Sequence, residues 1–149
     1  MWCYTGVMPI IRAVIDTNVI FEGLTRQGGA CGLIVEGWLA GLFAPCVSDA
    51  VAYEYIDVLS HKLSELNWRR IRPVVGHMLG LAEFITVRYS WRPNSPDPAD
   101  EHVIDCAMNA NASVVTTNIR DFRLAAQSLG LYILEPAAFI RVITQEEQD

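Results

Sequence analysis

Short apolar runs alternate along the chain with longer stretches whose apolar residues recur every three or four positions. Residues 11–15 read as a short buried strand, and 43–47, 84–88, 113–116 and 131–134 repeat that signal. Between them, residues 30–42, 48–63, 67–82, 98–110, 120–129 and 136–144 carry the helical period. Ser48 is placed to cap the second of these helices, and Asp97-Pro98 combines a capping side chain with proline at the first helical position. Residues 90–98 form a proline-bearing loop. Strands alternating with helices predict an α/β fold, a parallel sheet covered on both faces. Ligands of such sheets bind beyond the carboxyl ends of the strands, near the point where strand order reverses.

Composition narrows this picture. A length of 149 residues predicts one domain, with residues 1–9 as an N-terminal extension and Met8-Pro9 as an alternative start. No apolar run reaches the length of a membrane span, and the first residues lack the basic region of a secretory signal. Four cysteines without paired spacing and three histidines without a ligand motif argue against a disulfide framework or a zinc site, and fit a reducing cytoplasm. A net charge of −6 argues against coating nucleic acid through bulk electrostatics. It leaves room for a nuclease, whose own carboxylates contribute to that charge. Arg69, Arg70 and Arg72 cluster beside Trp68, with Lys62, Arg88 and Arg92 on either side. They read as a phosphate track or as a solvated helix face.

The chemistry concentrates in four acidic positions. Asp16 follows directly on a buried apolar strand, where a charge is expensive. Asp100 lies three, four and seven residues before Val103, Ile104 and Ala107, at the start of the core-facing stripe of its helix. Glu101 is the alternative one residue on, and Asp97 reads as a cap before it reads as a ligand. Asp105, His102 and Asn109 fall on what the same phase makes a solvated outer face. Glu54 sits off the stripe Val51, Ala52, Tyr55, Ile56, Leu59 and Leu63, as an exposed helix glutamate does. Asp121 stands three residues after Asn118, a capping arrangement. Carboxylates gathered from distant segments repel unless they share a proton or a cation, so a cluster of the four points to a hard metal ion and to phosphate chemistry.

Together, Ile15-Asp16-Thr17-Asn18, Glu54, Asp97-Pro98-Ala99-Asp100-Glu101 and Val115-Thr116-Thr117-Asn118-Ile119-Arg120-Asp121-Phe122 resemble the PIN domain, most closely its VapC-like toxin ribonucleases. The resemblance runs from about residue 12 to residue 143. It implies a three-layer α/β/α sandwich around a parallel sheet of about five strands. It also implies an endoribonuclease dependent on Mg2+ or Mn2+. By motif, Asp16, Glu54, Asp100 and Asp121 are the catalytic acids, with Asp16, Asp100 and Asp121 on the metal. Thr17 or Thr116 would hold a ligand or a water. Asn118 stands where many relatives have Asp, so Asn118 and Asp121 remain alternatives for the fourth position. The expected partners are an RNA substrate, an antitoxin protein and a second copy of the chain, with Trp38, Trp68 and Trp91 as interface anchors or core residues.

Two other phosphate chemistries fit less well. A dehalogenase-like phosphatase needs a second Asp at position 18, which is Asn, and a receiver-like domain needs a lysine far from the place of Lys62. The alternative from another class is a PIN fold without catalysis, serving as an RNA-binding or protein-docking module.

Overall fold

The structure, a computed structural model, describes residues 10–92, 95 and 97–148; the expected N-terminal extension and start, with Cys3, lie outside the described residues. The chain runs β1 (Arg12–Ile15), α1 (Thr17–Thr25), α2 (Gly29–Ala40), β2 (Ala44–Val47), α3 (Asp49–Lys62), α4 (Glu65–Leu81) and β3 (Glu83–Phe84). It continues through α5 (Pro98–Ala110), β4 (Ser113–Val115), α6 (Ile119–Leu129), β5 (Ile133–Leu134) and α7 (Pro136–Gln148). The five strands form one parallel sheet in the order β3-β2-β1-β4-β5, within a three-layer α/β/α fold. The chain steps outward from β1 to β2 and β3, then returns to the other side of β1 for β4 and β5. Strand order therefore reverses between β1 and β4, and loops leaving the carboxyl ends of those two strands diverge to leave a crevice.

The strands are short and nearly all apolar because both faces of the sheet are covered. Ala13, Val14, Ile15, Val114 and Val115 have at most 1% exposure. Pro45 sits inside β2 without loss. The Ala44 N–H donates to Ile11 O, so alternation turns the Pro45 nitrogen toward β3, whose ladder begins only at the next residue, Cys46, opposite Glu83. Helix α5 packs across β1, β2 and β4. Around α2 and α7, Trp38, Phe43 and Phe139 meet edge to face, and the Trp38 indole N–H donates to Met78 O of α4 at 2.8 Å. Trp38 is thus a core residue; Trp68 is half-buried, and Trp91 is exposed on the surface. Cys31, Cys46 and Cys106 are buried free thiols, with burial pushing Cys106 up to about 12.

The structure departs from the sequence expectation in four places. Residues 17–25 are a helix absent from the predicted elements; β-branched Thr17, Val19 and Ile20 weaken its intrinsic propensity, and their burial against the core supplies the compensation. Gly23 permits the close approach of α1 to α2, since an added Cβ would lie 2.5 Å from Cys31 O. The third strand is confined to Glu83–Phe84 rather than 84–88. Beyond it the Asn109 carboxamide, not a strand, takes the chain: Oδ1 accepts the Arg88 and Tyr89 N–H groups, and Nδ2 donates to Tyr89 O. That strap covers the face of α5 expected to be solvated, so Asp105 is 3% exposed and paired with Arg92 at 2.9 Å. Finally, Ile56 is exposed, leaving Val51, Ala52, Tyr55 and Leu59 as the buried face of α3.

Candidate metal centre

Three helices start at the crevice between β1 and β4. Asp16 is the N-cap of α1, Asp97 that of α5 and Asn118 that of α6. Their N-termini bring positive partial charge to one place, which favours anions there. The anions supplied are carboxylates.

Asp16 enters the crevice because β1 ends beneath it. Its backbone N–H donates to Val115 O at 2.9 Å, extending the ladder one residue past the strand. Its carboxylate, 5% exposed, accepts a 2.7 Å hydrogen bond from Thr116 Oγ1, the residue that follows β4. Thr116 is itself fixed, because its Oγ1 accepts the Asn118 N–H at 2.9 Å. Asn118 Nδ2 in turn donates to Asp121 Oδ2 at 2.5 Å. The segment Thr116-Thr117-Asn118 thus ties the carboxylates of Asp16 and Asp121 through one chain of hydrogen bonds. Its side chains orient the acids rather than cap α6, since the Asn118 side chain accepts no backbone N–H of that helix's first turn and instead donates to the Asp121 carboxylate.

Asp97 and Asp100 come from the first turn of α5, where a spacing of three puts both on one side. Asp97 does cap the helix, accepting the Ala99 N–H at 3.0 Å. It also joins the site: one carboxylate oxygen each from Asp97, Asp100 and Asp121 lie within 4.8 Å of one another. The pairing of Asp97 with Pro98 ranks capping ahead of ligation in the sequence; the structure shows the residue capping α5 and lying among the acids. Ser95 Oγ donates to Asp100 at 3.4 Å, and Ser95 N–H to Glu101 Oε1 at 2.9 Å. Glu101 is buried one residue away, turned to Ser95, and does not belong to the carboxylate cluster found among the described residues.

Glu54 reaches the site from α3. The Tyr55 hydroxyl donates to Ile15 O, which pins α3 beside the end of β1 and carries the neighbouring Glu54 to the crevice. There Glu54, Asp16, Thr17, Asp97 and Asp100 line one cavity of about 90 Å³. The helical stripe had set Glu54 off the buried face. It is off that face, and for that reason it reaches the crevice instead of the core.

Crowding shows in the acid strengths. Burial pushes the Asp16 carboxyl up, with Asp97 and Asp121 adding to the push; the bonds from Thr116 and the Thr17 amide oppose it without prevailing. Asp100 is pushed up to about 7, by burial first and then by Asp16, Asp97 and Asp121. Near neutral pH the cluster therefore holds a proton or calls for a cation. All its donors are carboxylate oxygens, the set that hard divalent ions such as Mg2+ and Mn2+ take. The residues fit such an ion.

Residues 12–120 match the PIN domain family. The fold is similar to that of VapBC2 from Rickettsia felis, bound to a DNA fragment from its promoter, with a TM-score of 0.60 at 15% identity over 84% of this chain and 98% of that one. It is also similar to VapBC-1 from nontypeable Haemophilus influenzae, with a TM-score of 0.59 at 14% identity over 85% and 99%. FitAcB from Neisseria gonorrhoeae gives 0.57 at 16% over 83% and 97%. No curated protein sequence matches the chain. With a strand order, an acidic crevice and a sequence match that agree over most of its length, the chain belongs to the PIN domain family.

Proposed function

We propose that this single-domain protein is a metal-dependent endoribonuclease, the toxin of a toxin–antitoxin pair, working in the cytoplasm. The observation that carries the reading is the cluster of Asp97, Asp100 and Asp121 at the strand-order reversal, with Asp16 lining the same cavity as Asp97 and Asp100, and with Asp100 raised to about 7. Asp16, Asp100 and Asp121 would hold Mg2+ or Mn2+, and Asp97 would complete the set from the cap of α5. When bound, the ion supplies a polarised scissile phosphate and a water of lowered pKa. Glu54, which lines the same cavity, would accept a hydrogen bond from the attacking water and keep it in line. Thr116 and Asn118 hold the Asp16 and Asp121 carboxylates in place, a role that preserves geometry between turnovers. The reaction adds water across one phosphodiester linkage, leaving a phosphate on one strand end and a hydroxyl on the other.

The toxin role rests on the likeness to the VapBC and FitAB structures. It brings with it a cognate antitoxin that covers the crevice and a homodimer of this chain. No helix among the described residues is long and apolar enough to cross a membrane.

The test is cleavage of a panel of structured RNAs by purified protein with Mg2+, with Mn2+ and with chelator, beside Asp16→Asn. Cutting that needs metal and disappears in the variant is the expected result. A folded protein that binds RNA equally with and without Mg2+ and cuts nothing would instead be a silent binding module.

A further inference from the structure

Lys62 is the chain's single lysine, and it ends α3. Glu54, Val58 and Lys62 recur at four-residue spacing, so they form one row along that helix. All three line the cavity that holds Asp16, Asp97 and Asp100. An ammonium beside so many carboxylates would be expected to pair with one of them. Lys62 forms no ion pair among the described residues; its Nζ lies 5.1 Å from the centroid of the Phe21 ring of α1. The half-buried aromatic face thus holds a cation at the cavity wall without neutralising the acids opposite.

A second cation continues the line. Leu63, the next residue, lines a second cavity of about 370 Å³ together with Leu24, Asn67 and Arg70. Arg70 is exposed and also unpaired among the described residues, whereas its neighbour Arg69 is engaged with Glu65 at 3.0 Å. Unpaired positive charge thus stands at Lys62, on the wall of the acidic cavity, and at Arg70, on the wall of the cavity lined by the next residue of the chain. In a protein of net charge −6 this is where a polyanion can approach.

We propose that Lys62 Nζ holds a non-bridging oxygen of the backbone phosphate next to the linkage being cut, and that Arg70 holds a phosphate farther along the same single strand of RNA. This inference rests on the nuclease reading and names how that site grips its substrate. Lys62 touches substrate without touching the reacting atoms. Its contact is made equally in the ground and transition states, so its loss raises KM and leaves kcat nearly unchanged.

The experiment uses Lys62→Gln, Lys62→Arg and Lys62→Gln/Arg70→Gln in the full chain, each checked for an unchanged thermal transition. Cleavage kinetics are measured with Mg2+ on whichever RNA the wild type cuts. Binding of the same RNA, fluorescently labelled, is measured against salt with Ca2+ in place of Mg2+, and gels verify that the strand stays intact. Lys62→Gln is expected to raise KM by about tenfold and to lower the log–log salt slope by about 0.7, the value of one single-strand phosphate contact; the double variant lowers it by about 1.4. Lys62→Arg retains most of the affinity. Unchanged KM and salt slope in Lys62→Gln, while the wild type cleaves, would overturn this inference alone. So would tighter metal binding with undiminished RNA affinity, which would make Lys62 only a counter-charge to the acids. A wild type that neither cuts nor binds RNA would overturn the nuclease reading and this inference with it.

Discussion

Helix α5 buries two aspartates one and a half turns apart, and the fold surrounds them in opposite ways. Asp105 is 3% exposed and meets the Arg92 guanidinium, whose Nε and Nη2 both reach its Oδ2. Asp100 is 6% exposed and meets Asp16, Asp97 and Asp121, with one hydroxyl, Ser95 Oγ, to soften the crowding. A buried carboxylate with its own cation is part of the scaffold: it fastens the strap carrying Arg92 onto α5. A buried carboxylate among other carboxylates is a cost to the fold unless something arrives from outside to share it. The difference between the two positions locates the working end of the helix.

The largest effect expected from this contrast is on cleavage. Asp16→Asn or Asp100→Asn should lower the rate by at least about a hundredfold, measured on the same RNA with saturating Mn2+. In the absence of metal the same changes should help the fold. Asp100→Asn removes a charge that is confined among like charges, and should stabilise the metal-free protein at pH 8 by on the order of 2–4 kcal/mol in urea titrations with chelator present.

The sign with pH follows from the raised Asp100. Its folded-state pKa of about 7 lies above the unfolded value of 3.8, so the folded state binds more protons between them. Stability of the metal-free protein should therefore fall as pH rises from about 4 to about 7, then level off. Asp100→Asn should flatten that fall. Saturating Mn2+ should reverse it, because only the ionised carboxyls bind the ion.

At Asp105, removing the partner should cost stability, where neutralising Asp100 should add it. Arg92→Ala strands the Asp105 charge and should destabilise by roughly 1–3 kcal/mol, less than a fully buried pair would lose because the Arg92 side chain is 44% exposed. If Arg92→Ala and Asp100→Asn shift the urea midpoint in the same direction, the contrast fails. The smallest effects belong to the residues that orient the acids: Thr116→Val and Asn118→Ala should weaken Mn2+ binding by about tenfold in calorimetry, with little change in the unfolding midpoint.

The two aspartates also show how far the sequence could be read. Asp100 was legible because helical phase relates it to Val103, Ile104 and Ala107 on its own element, and Asp16 because it follows a buried strand. Asp105 was misplaced because its environment comes from Arg92, on a strap whose position is set by Asn109 and not by any local period. Helix α1 escaped notice since its stability comes from the burial of Val19 and Ile20 rather than from propensity or a side-chain cap. The helical stripe sets Glu54 off the buried face, and nothing local distinguishes it from a solvated glutamate. Its place depends on Tyr55 reaching Ile15 O, a contact between residues forty positions apart. The sheet order, which puts the ends of β1 and β4 side by side, follows from pairings that no single segment encodes.

If the crevice is built to receive a divalent ion, titration of the metal-free protein with Mn2+ reads it directly. Thermal unfolding and calorimetry should both report saturable binding in the wild type, with a melting temperature that rises with metal concentration. Asp100→Asn should begin at a higher melting temperature without metal and lose most of the rise. A wild type that Mn2+ neither binds nor stabilises, or an Asp100→Asn variant that gains as much as the wild type, would mean that the acidic crevice is not a metal site.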